Sequence, residues 1–189
     1  IIFRLPKNKS IVLPRSQCSN CKTKLRFFDL VPILSWLFLK GKCRYCKKSI
    51  SFRYPLVEAL TSISFLLCFE INNYFFSSIF LGVVSGWLLS SFLITLAFID
   101  VDQMILPNSL TFSGSFLALI IFLFDFLFNN NSITNILIEH SLAYIFAFFG
   151  LYLFSIIVKL ILNKPGLGGG DIKLFAMSGA WLGITGLEV

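Results

Sequence analysis

Charge is what this chain has least of. Asp, Glu, Lys and Arg make up 13% of its 189 residues and apolar residues 57%, with a mean hydropathy of +0.86. Ordinary soluble domains carry about 25% charge. The stretches 71–99 and 141–158 hold no charged side chain at all, and another uncharged run opens at Gln103. Roughly 20 apolar residues cross a bilayer as a helix, so these runs exclude a secreted soluble enzyme and imply a polytopic membrane protein. Also missing are an initiator Met, a signal-peptide pattern and a polar tail, and a longer natural chain is expected. The one histidine, His140, falls near the expected outer face and receives no role. There is no internal repeat, and low complexity is confined to the "NNNS" at 129–132.

What charge there is lies unevenly. The segment 1–54 carries 13 of the 16 Lys/Arg and one acid, Asp29, for +12; the remainder, 55–189, carries three Lys and eight acids, for −5. Such a basic block is a nucleic-acid footprint in soluble proteins. In a membrane protein it is the cytoplasmic excess of Lys and Arg, and no nucleic-acid partner is expected here. We read 1–54 as a polar, turn-rich cytoplasmic domain and 55–189 as a helical membrane domain. Helices are expected near 55–74, 76–100, 109–128, 137–162 and 172–189. With 1–54 inside, every basic residue falls on one membrane face, and the loops of the opposite face have none.

Four of the five cysteines form C-x2-C pairs, Cys18/Cys21 and Cys43/Cys46, with the stretch 22–42 between them. Each pair resembles a zinc knuckle, and the separation approaches that of four-cysteine zinc ribbons. Basic surroundings favour thiolates, and a reducing cytoplasm argues against two disulfides. Zinc or another structural metal is expected, in a structural role because four thiolates leave no open coordination position. Cys68 lies in an apolar run and is read as a packing residue.

Carboxylates at membrane depth are functional candidates by default. "FIDVDQMILPNSL" ends a long helix with Asp100 and Asp102 before a break at Pro107-Asn108, and "GLGGGDIKL" sets Asp171 after four glycines. Each alone fits a helix cap as well as a site. Asp100 and Asp171 are distant in sequence, but two complete spans separate them, so both arrive at the cytoplasmic boundary. Two carboxyls brought together share a proton, and one activates water while the other acts as acid. That pairing favours peptide hydrolysis at the membrane surface. Glycines beside Asp171 let a backbone approach closely. Two other classes remain open: an ion or proton transporter with relay carboxylates, and a membrane-anchored zinc-binding adaptor.

The chain resembles the type IV prepilin peptidases over nearly its whole length. "LPRSQCSNCKTKLRFFDLVPILSWLFLKGKCRYCKKSISFRYPLVEALT" is similar to the family's cytoplasmic domain, with its two Cys pairs and Tyr-Pro-x-Val-Glu exit. "FIDVDQMILPNSLT" resembles the segment of the first catalytic aspartate, and "GLGGGDIKLFAMSGAWLG" the Gly-x-Gly-Asp segment. The resemblance implies Asp100 and Asp171 as the catalytic pair, Asp100 standing seven positions before Pro107. It implies Gly168 and Gly170 as motif positions beside Asp171; Lys173 is taken as a supporting residue, and on charge alone Asp102 or Glu58 would face a basic leader. It further implies a bacterial inner-membrane enzyme that cuts prepilins or pseudopilins after a Gly at the cytoplasmic face. The new amino terminus would then be methylated from S-adenosylmethionine, although no Rossmann-type glycine signature is present. The family's first membrane helix and the end of its last helices have no counterpart in this sequence.

Overall fold

Proline, glycine and a few left-handed residues decide where the helices stop. The computed structural model describes residues 15–71, 79–129, 133–163 and 166–184, together with 2, 4–7, 10 and 13. Among these the order is a 3-10 turn Leu5–Lys7, a second 3-10 turn Phe27–Leu30, α1 Leu34–Phe38, α2 Arg53–Ile71, α3 Ile79–Gln103, α4 Asn108–Asn129, α5 Ile133–Leu162 and α6 Gly169–Leu182. No strand occurs among the described residues; two isolated bridges, Gln17–Lys24 and Lys42–Ser49, are the only β pairing there. The chain is all-α, as its apolar runs predict.

The chain divides into two compact units, Ile1–Leu67 and Cys68–Val189, a boundary inside α2 and later than the expected 54/55. In the second unit, α3 stops where Met104 turns left-handed (φ 53°) and its N–H closes on the Asp100 carbonyl at 2.7 Å. Pro107, with its ring-fixed φ, then starts α4 by accepting the N–H groups of Leu110 and Thr111 on its carbonyl. The expected helix 172–189 is corrected at both ends. It begins at Gly169 and stops at Leu182, because Gly183 takes φ +71° and its N–H returns to the Gly179 carbonyl; residues 185–189 lie outside those described. The junction expected at 74–76 also lies outside them.

Small residues let the helices of this unit close on one another, as membrane helices require in the absence of a strong hydrophobic drive. A Cβ on Gly179 would come within 3.0 Å of the Ala143 carbonyl oxygen and 3.3 Å of the Ala147 Cβ, so α6 lies directly on α5. Gly86 of α3 takes Cys68 the same way, the packing role expected for that cysteine. The core joins Leu96 of α3, Leu106, Ala118 and Phe122 around α4, and Met177 and Trp181 of α6. The Trp181 indole N–H donates to the Gly114 carbonyl at 3.1 Å. His140 stacks on Phe122, and its Nδ1 lies 3.0 Å from the Ala180 carbonyl oxygen. Around this core the outward faces are Phe and Leu, among them Phe80, Phe116, Phe146 and Leu160. Two helices, Phe80–Gln103 and Ile138–Leu162, are long and apolar enough to cross a membrane. The apolar stretch described in α4, Asn108–Phe124, is shorter.

Candidate functional site

The first unit is built on two copies of one turn. The Cys18 N–H donates to the Thr23 carbonyl and the Lys22 N–H to the Cys18 carbonyl. At the second pair the Cys43 N–H donates to the Lys48 carbonyl and the Lys47 N–H to the Cys43 carbonyl. Both turns need a left-handed residue just after the second cysteine, supplied by Lys22 (φ 54°) and Lys47 (φ 59°). The repetition brings the four thiols of Cys18, Cys21, Cys43 and Cys46 within 4.8 Å of one another, with Cys18 and Cys46 sulfurs 3.9 Å apart. A tetrahedral site with Zn–S bonds of about 2.3 Å places its sulfurs about 3.8 Å apart, so the cluster fits a metal of that kind. The surroundings favour the thiolate at Cys46 and Cys21, whereas Cys18 is shifted up. The Lys48 backbone N–H pulls the Cys46 thiol down to about 6, and the Thr23 hydroxyl lowers Cys21. Asn20 donates to the Cys46 sulfur at 3.7 Å and is itself held by the Lys48 ammonium. Near this centre the block's one acid, Asp29, is paired with Arg44 at 2.7 Å and accepts the Arg26 N–H. Glu58 accepts the N–H of Ile33 at 2.7 Å, a residue held at φ 59°.

In the second unit the acids sit at two helix ends. Asp100 and Asp102 lie in the last turn of α3, both exposed. Two residues on a helix are about 200° apart, so these carboxylates leave on different faces and are not interchangeable. Asp171 is the third residue of α6, and the cap is Gly168 (φ −61°, ψ 138°). The Asp171 carboxylate folds back over that glycine, where a Cβ would meet Oδ2 at 3.0 Å. A helix start also favours an anion. Among the described residues neither the Asp100 nor the Asp171 carboxylate accepts a hydrogen bond, and both residues are exposed.

The two ends are joined by contacts on either side of Asp171. Gly170 lies against Leu106, whose Cβ would be 3.1 Å from a Cβ there. Lys173 donates to the Asn108 side-chain oxygen at 2.7 Å. Asn108 is free to accept because the Pro107 carbonyl already caps α4. The loop that follows Asp100 therefore rests on the turn that carries Asp171. Sequence alone shows Pro107-Asn108 only as a helix break and does not reveal Asn108 as a partner of Lys173. A polar residue after Pro at the foot of an apolar helix is the one signal it offers. Gly166 and Gly170 also have intramolecular neighbours, Ser155 and Leu106, whereas Gly169 has open space.

These features define a helical membrane protein with a four-cysteine centre in one unit and two acid-bearing helix ends held together in the other. Residues 1–71 match the bacterial peptidase A24 N-terminal domain, and residues 87–188 match the type IV leader peptidase family; the chain belongs to that family. It is 39% identical to a prepilin leader peptidase/N-methyltransferase of Neisseria gonorrhoeae, over 95% of this chain and 59% of the relative. To a type 4 prepilin-like proteins leader peptide-processing enzyme of Escherichia coli O78:H11 it is 36% identical, over 92% of this chain and 61% of the relative. A prepilin leader peptidase/N-methyltransferase of Myxococcus xanthus is 34% identical, over 96% and 51%. The chain thus spans about three-fifths or less of these relatives. No solved structure matches. Nothing in this company favours a transporter or an adaptor.

Proposed function

We propose that this protein is a membrane aspartic endopeptidase that removes the short basic leader of type IV prepilins or pseudopilins after a Gly. The observation that carries this reading is the pair of contacts, Gly170 on Leu106 and Lys173 on Asn108, between the segments bearing Asp171 and Asp100. Two carboxyls brought to one boundary can divide the base and acid roles of peptide hydrolysis between them. The ionised member takes a proton from water as its oxygen attacks the scissile carbonyl carbon. The protonated member supports the developing oxyanion, and on collapse the proton passes to the leaving nitrogen as the C–N bond breaks. We assign the leader's positive charge to Asp102 or Glu58, on charge alone. The basic first unit and the proposed site lie on the cytoplasmic face of a bacterial inner membrane, crossed several times.

Zinc is the metal we assign to the four thiolates, in a structural role. Methylation of the new amino terminus rests on the names of the relatives. Its donor, S-adenosylmethionine, carries net positive charge. A cavity of about 1140 Å3 in the first unit is walled by Arg15, Lys24, Arg26 and Arg44, and its acids, Asp29 and Glu58, are already engaged. That lining does not fit a cationic donor.

The test is prepilin cleavage in membranes by the wild type, Asp100→Asn and Asp171→Asn. Cleavage is expected from the wild type alone. Turnover by either variant would remove that residue from the pair, and turnover by Asp100→Asn but not Asp102→Asn would exchange the neighbours.

A further inference from the structure

The first unit wears part of its apolar surface on the outside. In α1 the residues on one side, Leu34, Leu37 and Phe38, are 52%, 57% and 83% exposed, while Trp36 turns inward to donate its indole N–H to the Ile50 carbonyl. The spacing i, i+3, i+4 makes one stripe on a helix, and here that stripe faces out. The 3-10 turn before it adds Phe27 and Phe28, 82% and 76% exposed and meeting edge to face. Phe52 packs edge-on against Trp36 and is itself 62% exposed. At 150–250 Å2 per aromatic side chain, Phe27, Phe28 and Phe38 alone expose on the order of 400 Å2. The turn Phe27–Leu30 and α1 touch, and apolar exposure of that extent on a small domain points to a partner surface.

Cations frame this ridge. Arg26 directly precedes Phe27, Lys40 follows Leu39, and Arg53 follows Phe52. Acids are nearly absent: Asp29, the one acid of the segment 1–54, is already held by Arg44. Phe and Leu bounded by Lys and Arg is the composition of a surface that lies in the lipid interface, rings in the acyl boundary and cations among anionic headgroups. The chain also runs without a break from Phe52 into α2, the first of the long apolar helices.

We propose that the ridge formed by Phe27, Phe28, Leu34, Leu37 and Phe38 docks on the anionic lipid surface, making the first unit a membrane-surface domain and not a freely solvated one. A water-facing protein of the same composition would be expected to reverse the stripe. The proposal stands independently of the peptidase reading.

The experiment uses the full chain in vesicles of phosphatidylethanolamine and phosphatidylglycerol, with a benzophenone amino acid replacing Phe28, Phe38 or, as an exposed control outside the ridge, Gln17. After irradiation and mass analysis, lipid adducts are expected at 28 and 38 and at least several-fold less at 17. Thermal unfolding checks that each variant keeps the wild-type fold. Cross-links from 28 or 38 into residues 68–189 or to a second copy would overturn the proposal, and so would equal lipid labelling at 17. In neutral phosphatidylcholine, or at high salt, which shortens the Debye length to about 3 Å at 1 M, the adduct yield is expected to fall several-fold. A yield indifferent to lipid charge would overturn the assignment to an anionic surface.

Discussion

Two adjacent glycines, Gly169 and Gly170, should respond in opposite ways to the same added methyl group. Both lie in the first turn of α6, where replacing Gly by Ala gains about 0.5–1 kcal/mol of backbone entropy. A Cβ on Gly169 meets nothing within 4 Å, so Gly169→Ala should keep the whole gain. A Cβ on Gly170 would stand 3.1 Å from both the Cβ and the Cδ1 of Leu106 and 3.3 Å from its Cγ. Leu106 is only 9% exposed, packed with Leu96, Ala118 and Met177, so it has little room to withdraw. Overpacking of this kind costs about 1–3 kcal/mol, which cancels or exceeds the helix gain. The consequence for chemistry is larger than that for stability. Relief requires the turn bearing Asp171 to move off the loop that follows Asp100. Since a misplacement of about 1 Å costs about 100-fold in rate, a shift of half that predicts a loss of about tenfold in kcat. Prepilin cleavage in vesicles with thermal unfolding of the same samples reads both quantities. If Gly170→Ala cleaves and melts like the wild type, the Leu106 contact does not set the site. If Gly169→Ala is the one that fails, close approach of substrate backbone is what those glycines serve.

Other outcomes follow from the same geometry. Lys173→Met and Asn108→Leu should each lower kcat about tenfold through the same loss of alignment, and the double variant should be no worse than either single one; additive losses would mean that the two side chains do not act through their 2.7 Å bond. Metal retention by the four cysteines should fall as the pH is lowered. Protons compete with the metal for the four thiolates, Cys46 least because the Lys48 N–H lowers it, which chelator-detected release checks. Lys47→Gly removes a left-handed cost of about 1 kcal/mol at φ 59° and should raise the melting temperature of the first unit, with Lys22→Gly its twin.

Several of these features could be read in the sequence, each for a definite reason. Helix existence was legible because the uncharged runs 71–99 and 141–158 admit little else, and the thiols converge as their repeated C-x2-C spacing requires. Helix ends were less legible. The last helix stops at Leu182 because Gly183 turns left-handed, and a Gly among Gly179, Gly183 and Gly186 carries no mark of which one will turn. Asp171 was placed at a helix start, but the capping position belongs to Gly168, since a backbone in extended conformation can end a helix without any side chain. Hardest to foresee was Lys173 reaching Asn108 from so far along the chain, because such a bond depends on how α4 and α6 meet and not on either segment's own pattern. The outward stripe of α1 contradicts the rule that apolar faces turn inward, and so short a helix gives periodicity too little length to reveal it.

The split of Asp100 and Asp171 between the foot of α3 and the head of α6 has a consequence for biogenesis. A chain emerging into the membrane carries the first acid through the insertion of two further helices before the second exists. Even then Asp171 reaches its level only when α6, the most buried helix, slides its small residues against Ala143 and Ala147. The nascent protein is therefore without a complete site until its last described helix has docked. On the proposed pairing of Asp100 with Asp171, assembly itself would be the activation step.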